Sequence, residues 1–269
     1  MHWPTMPSFR LTLAYDGTDF SGSQVQPSSR TVQGELERSL EALAGAPLRT
    51  TFGGRTDRGV HAAGQIAAAS LPGWRGSCHD LQRALNAKLP RDIVATDVDT
   101  CDPAFNPRFD ALWREYRYWL APSIESPFLR RYAWTPGADV DVTAMVVGSR
   151  WLVGTHDFAS FASGGDGVPW SERAKRPRGT IRQVFRCDCR EIAVRSSPGD
   201  EQNLRVIEFI VTADAFLPRM VRNFVGALVE VGRGRREAEW VGAVREKRDR
   251  RQGSVVAPPQ GLTLHKIGY

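Results

Sequence analysis

"TIRQVFRCDCREIAVR" (residues 180–195) and "LRVIEFIVTA" (residues 204–213) are the stretches on which the fold turns. Both are rich in residues that suit a pleated, half-buried surface, and both are long. Close together in the chain, they can pair as an antiparallel hairpin. Parallel neighbours would instead need a crossover of a dozen or more residues. The pair therefore favours an α+β protein over a doubly wound parallel sheet. Downstream, "PRMVRNFVGALVEVG" (residues 218–232) reads as a strong helix. Pro218 suits its first turn, Met220, Val221, Phe224, Val225 and Leu228 make its apolar face, and Gly232 suits its stop.

Upstream, "REYRYWLA" (residues 114–121) is strand-like, and Asp141 opens a helix to about Leu152. The N-terminal part shows a similar order. Phe9, Leu11, Leu13 and Tyr15 alternate with Arg10, Thr12 and Ala14, the period of a strand with one buried face. Thr31 can cap a helix to about Ala44, whose Val32, Leu36, Leu40 and Leu43 form one apolar stripe. "GQIAAAS" is a short strand. Ser77 and Asp80 are spaced as a capping box for a helix through Leu81, Leu85 and Leu89, and "IVATDVDT" is another strand. Prolines interrupt the pattern in "CDPAFNPRFDA", so two β/α halves are expected, residues 1–105 and 106–269. "SGGDGVPWSERAKRPRG" (residues 163–179) reads as a mobile surface loop.

With 269 residues, 41% of them hydrophobic, the chain can bury a sizeable core, which argues against a disordered protein. No stretch is long and apolar enough to span a bilayer, and the first eight residues lack the apolar centre of a signal peptide, so a soluble cytoplasmic protein is expected. Cys78, Cys101, Cys187 and Cys189 have no CxxC spacing and the five histidines do not cluster with them; reduced thiols and no zinc site follow. The net charge of +6 and pI of about 9.4 favour a polyanionic partner. The run "REKRDRR" (residues 245–251) fits a solvated helix face as well as a binding stripe.

The chemistry concentrates in "FGGRTDRGVHAAGQ" (residues 52–65), where Asp57 stands between Arg55 and Arg58 with Gly53, Gly54 and Gly59 around them. Glycine lets backbone turn sharply and pass close to a large ligand. A guanidinium beside a carboxylate favours its charged form, and a charged Asp in a protected place can act as nucleophile or general base. From spacing alone, Asp57 capping a turn with Arg55 paired to it at the surface is an equally good reading.

The same segment resembles the GRTDxGVHA signature of the TruA family of tRNA pseudouridine synthases. Five further stretches resemble that family in order: "LAYDGTDFSGSQVQPSSRTVQGELERSL", "WREYRYWL", "GTHDFASF", "AFLPRMVRNFVGALVEVGRG" and "APPQGLTLHKIGY". The resemblance implies two RRM-like, ferredoxin-like halves forming a continuous, mainly antiparallel sheet flanked by helices, with a central basic cleft. It implies isomerisation of uridine to pseudouridine in the anticodon stem-loop of tRNA, by a homodimer, with no metal and no cofactor. Asp57 matches the catalytic nucleophile. Tyr116 matches the tyrosine that packs on the flipped uracil and assists proton removal at C5, although by itself it reads more readily as a core aromatic sharing a strand face with Tyr118 and Leu120. Arg222 matches the arginine paired with the catalytic acid, and Arg219 is expected one turn away on the same helix face. Arg55 matches the arginine that enters the RNA stem as the base leaves; a guanidinium can stack on bases and offset the cost of unstacking. The chain departs from the pattern at Ser23, where the family often has tryptophan, and at Arg58, where a small residue is common. Arg58 adds positive charge for phosphate contact, and Ser23 is expected to loosen local packing. His61 fits a backbone hydrogen bond as well as a chemical role. Rival readings are an idle RNA-binding module, a pseudouridine synthase for another RNA, and a hydrolase of small phosphate esters.

Overall fold

In the computed structural model, which describes residues 7–122, 126–137, 139–163, 179–195, 197 and 203–269, each alternating stretch becomes a strand. The first elements are β1 (Ser8–Tyr15), α1 (Val32–Ala44), β2 (Thr51–Phe52), β3 (His61–Ser70), α2 (Cys78–Asn86) and β4 (Ile93–Thr100). They are followed by β5 (Trp113–Leu120), α3 (Val142–Ser149), β6 (Gly154–Asp157), β7 (Ile181–Arg195), β8 (Asn203–Ala213), α4 (Met220–Gly232), α5 (Glu239–Lys247) and β9 (Leu262–Gly268). The chain divides into two compact units, Met1–Leu112 with Leu264–Tyr269, and Trp113–Thr263. The C-terminal residues, which sequence order assigns to a second half starting at 106, thus count with the first unit, and the second starts at Trp113. The polar stretch of residues 163–179 lies almost wholly outside the described residues.

In the first unit the strand order is β4-β1-β3-β9, with β2 added to β3. β1 is antiparallel to both neighbours, Leu11 standing opposite Ala67 and Val98. Leu11 and Leu13 pack with Leu36 and Leu40 of α1 and Leu81 and Leu85 of α2 in one cluster. Each of these fully buried leucines contributes about 2 kcal/mol by leaving water. The helix starts follow from local chemistry. Thr31 Oγ1 accepts from Gly34 N–H at the head of α1, and Ser77 and Asp80 make a reciprocal capping box on α2. α2 stops at Asn86, so Leu89 joins the core from beyond the helix.

The second unit has the order β5-β8-β7-β6, every adjacent pair antiparallel. β7 and β8 form the long hairpin, from Arg195 opposite Asn203 to Val184 opposite Ala213, with a bulge between Val184 and Arg186. Asp141 caps α3 through Thr143 and Ala144, but the α-helix ends at Ser149 and a 3₁₀ turn carries the chain to Leu152. Ser149 Oγ bonds both Val146 O and Cys187 O, tying that end to β7. At α4 Pro218 lies before the helix, ahead of Arg219. The residue that turns left-handed after α4 is Gly234 (φ 66°), not Gly232. Gly232 is the last helical residue, and a Cβ there would lie 2.4 Å from Val140 Cγ1, so packing rather than chain reversal requires glycine. The run at residues 245–251 closes α5: Arg245 and Lys247 sit in its last turn, where positive charge complements the helix dipole. Cys187 and Cys189 are free and buried, and burial pushes both thiols up, keeping them protonated.

Glu208 on β8 is almost completely buried beneath charged neighbours. Arg190 donates to its Oε2 from Nε at 2.8 Å and Nη2 at 2.6 Å, and Trp119 Nε1 donates to Oε1 at 3.2 Å. Burial raises its pKa, but the bonds from Arg190 and Trp119 and the charges of Arg117 and Arg190 outweigh burial and leave it lowered. A lowered folded-state pKa adds stability above the unfolded value, lost as pH falls through the folded one. Arg190 is half in solvent, so Glu208→Gln should cost only about 1–2 kcal/mol at pH 7. Thermal melts should show that gap closing below about pH 4.

Candidate active site

Asp57 sits where two strands hand over to a turn whose backbone is tied on every side. Gly53 N–H donates to Ile66 O at 2.8 Å, extending the β2–β3 pairing by one residue. The fully buried Gln65 then holds both edges of Gly54: its Oε1 accepts from Gly54 N–H at 3.0 Å and its Nε2 donates to Gly54 O at 2.7 Å. Thr56 is buried and bound three ways. Its N–H donates to Ser23 Oγ at 2.9 Å, its carbonyl accepts from Ser23 N–H at 3.0 Å, and its Oγ1 lies 2.8 Å from Tyr15 Oη. Burial pushes the Tyr15 hydroxyl up to about 12, outweighing the bonds from Thr56 and Gln65, so it stays protonated. Gly59 turns with φ 77°, and Val60 N–H closes the turn on the main-chain carbonyl of Asp57 at 3.1 Å. Arg55, Asp57 and Arg58 emerge from this frame exposed.

The segment after β1 encloses the frame. Gly17 N–H donates to His61 Nδ1 at 3.0 Å, with Asp16 Oδ1 3.2 Å from the same nitrogen. The buried His61 thus ties the start of this segment to β3. A Cβ on Gly17 would lie 2.0 Å from Val60 O, which only backbone movement can relieve. Gly17→Ala should therefore cost about 1–3 kcal/mol in thermal unfolding and displace the turn that carries Asp57. Arg30 pins the far end of the segment, its Nη1 and Nη2 gripping Asp92 at 2.7 and 2.9 Å while its guanidinium lies 4.2 Å over the Phe20 ring. Ser23 is thus a brace rather than the loosened position expected of it. Sequence reasoning also missed Arg108, whose pKa is lowered by burial and then by the charge of Arg55. Nothing in the spacing of residues 55 and 108 signals that proximity.

The second unit carries the aromatic and helix-borne groups. Tyr116 and Tyr118 share the buried face of β5. Tyr118 is a structural residue: its hydroxyl donates to Pro258 O at 2.8 Å, and a Cβ on Gly261 would fall 2.5 Å from its ring. Tyr116 meets Phe216 edge to face, centroids 5.0 Å apart. Arg222, in the first turn of α4, donates from Nε to Ala257 O at 2.7 Å, while Ala257 N–H donates to the Arg222 carbonyl at 3.1 Å. Gly226 lets that segment lie against α4, since a Cβ there would sit 2.0 Å from Val255 O. Arg219 is not on a helix turn: it is the N-cap of α4, exposed, with a left-handed φ of 58°. Among the described residues no group of three or more His, Cys, Asp or Glu is placed to hold a metal ion, and no helix is long and apolar enough to cross a membrane.

The chain is thus an α+β protein with mainly antiparallel strands, an arginine-flanked aspartate on a clamped glycine turn, and a strand carrying two buried tyrosines. The family model described as tRNA pseudouridine synthase matches residues 12–110 and 149–269, and the chain belongs to that family. Curated relatives named tRNA pseudouridine synthase A include those of Solidesulfovibrio magneticus (40% identical, covering 98% of this chain and 92% of the relative) and Thermosipho africanus (40%, covering 97% and 99%). That of Geobacillus sp. is 40% identical, covering 97% of each chain.

Proposed function

We propose that Asp57 is the nucleophile of a tRNA uridine isomerase that acts in the anticodon stem-loop. The protein is an isomerase of tRNA uridines by family membership. Asp57 is exposed rather than in the protected place expected of it; what supports the reading is the turn that carries it, whose backbone is bonded at Gly54, Thr56 and Val60 and so is set before any substrate arrives. Such preorganisation removes the cost of orienting the acid during reaction. In the reaction the N1–C1′ bond of the extruded uridine breaks with the Asp57 carboxylate at C1′, holding the sugar covalently or as a transient intermediate. The uracil turns and its C5 bonds to C1′ as any C1′–O bond to Asp57 breaks and frees the carboxylate; the C5 proton then leaves and N1 takes a proton. Product and substrate have the same atoms, so the reaction consumes no cofactor.

In this reading Tyr116 packs on the extruded uracil and assists loss of the C5 proton, and Arg222 supplies the counter-charge to Asp57. Arg55 occupies the stem position the base leaves, and Arg58 and Arg219 contact phosphate. The protein works in the cytoplasm as a homodimer that offers tRNA a surface built by two subunits. Mapping pseudouridines in bulk tRNA incubated with the purified protein tests the reading. New pseudouridines confined to the anticodon stem-loop are expected; modification elsewhere would overturn the substrate site, and none at all the activity.

A further inference from the structure

We infer that Ser23 is a positioning residue for the isomerisation, its hydroxyl coupling the head of α1 to the turn that carries Asp57. The inference rests on the nucleophile reading of Asp57 and adds a residue to it. Ser23 is 1% exposed, and all three of its polar groups are committed. Its carbonyl accepts from Gln33 N–H at 2.9 Å, in the first turn of α1, and the preceding carbonyl, of Gly22, accepts from Val32 N–H at 3.3 Å. Its N–H donates to Thr56 O at 3.0 Å, and its Oγ accepts from Thr56 N–H at 2.9 Å. Thr56 immediately precedes Asp57, so the residue ahead of the acid is held at both its N–H and its carbonyl by one residue, itself fixed to a helix end. Gly22 makes the approach possible: it takes a left-handed φ of 99°, and a Cβ there would lie 3.0 Å from Thr56 O. A side chain serving only to fill space would need neither the acceptor oxygen nor the paired main-chain bond.

Without the hydroxyl, Thr56 N–H is a buried donor lacking this acceptor, and the turn relaxes about its remaining bonds. A displacement well under 1 Å at an attacking oxygen is enough to slow reaction, while phosphate contacts made by exposed arginines are unaffected. The test compares Ser23→Ala, Ser23→Cys and Ser23→Thr with wild type in single turnover at saturating tRNA, alongside tRNA Kd. Ala and Cys should each lower the rate about tenfold with Kd changed less than twofold, and Thr, which keeps the acceptor, should recover at least half the rate. Cys keeps the site filled, its sulfur somewhat larger than the hydroxyl oxygen, and is a poor acceptor, so its outcome stands in for that of Ala if Ala fails to fold. A wild-type rate in Cys, a rate loss matched by weaker tRNA binding, or no recovery in Thr would overturn the inference. Asp57→Ala assayed on the same tRNA separates the two levels: activity surviving there refutes the nucleophile, whereas its loss there with Ser23→Cys unaffected refutes only the brace.

Discussion

Replacing Asp57 by Ala should abolish pseudouridine formation, lowering the single-turnover rate roughly 10⁴-fold or more while tRNA still binds. Removing the group that makes and breaks the covalent bond leaves only binding and electrostatic contributions, and losses of that size are usual for nucleophiles. Affinity should hold, because phosphate neutralisation by Lys and Arg supplies most of it. Deleting a carboxylate from a turn that also carries exposed Arg55 and Arg58 removes a repulsion, so Kd should be equal or slightly tighter. Filter binding beside a nucleoside assay reads both quantities. Unchanged modification by Asp57→Ala would show that the acid only shapes its turn, as in an idle RNA-binding module.

Arg222→Ala should lower turnover about 10²–10³-fold, the usual effect of removing one preorganised charged donor. Arg222→Lys should recover little. Arg222 Nε is bonded to Ala257 O at 2.7 Å, which fixes the direction of the planar fork and its Nη atoms. A lysine has one nitrogen and cannot hold both positions. Full recovery by Lys would mean that only charge matters there and would contradict the fork geometry. Rate measurements of both variants at one pH and saturating tRNA check this.

Local chemistry was legible in the sequence. Thr31, Ser77 with Asp80, and Asp141 cap the helices they were expected to cap, because a cap needs only a side chain two or three residues from the N–H it satisfies. Strand alternation in β1 and β5 and the β7–β8 hairpin were equally visible. What failed depends on partners far along the chain. α3 stops short of Leu152, and its last helical residue, Ser149, is bonded to Cys187 on β7. Gly232 is a glycine because Val140 and Met145 crowd it, a packing requirement that looks in sequence like a helix stop. Arg219 leaves the helix face for a left-handed cap, which no propensity for arginine foreshadows. The same limit governs the candidate site. Asp57 and its flanking arginines were read from one motif, but Tyr15, Ser23 and Gln65 brace them across 41, 33 and 11 residues. Polar residues in unremarkable stretches give no sign of such pairings until the fold brings them together.

The central claim is that a preset carboxylate at position 57 meets the ribose of an extruded uridine. A structure of the Asp57→Asn protein bound to tRNA measures this directly, since Asn keeps the shape and removes the negative charge. The account predicts one anticodon-arm uridine swung out of its stack, with its C1′ about 3–3.5 Å from the residue 57 side chain. A complex whose anticodon-arm bases all remain stacked, with residue 57 in contact only with protein or phosphate, would contradict it.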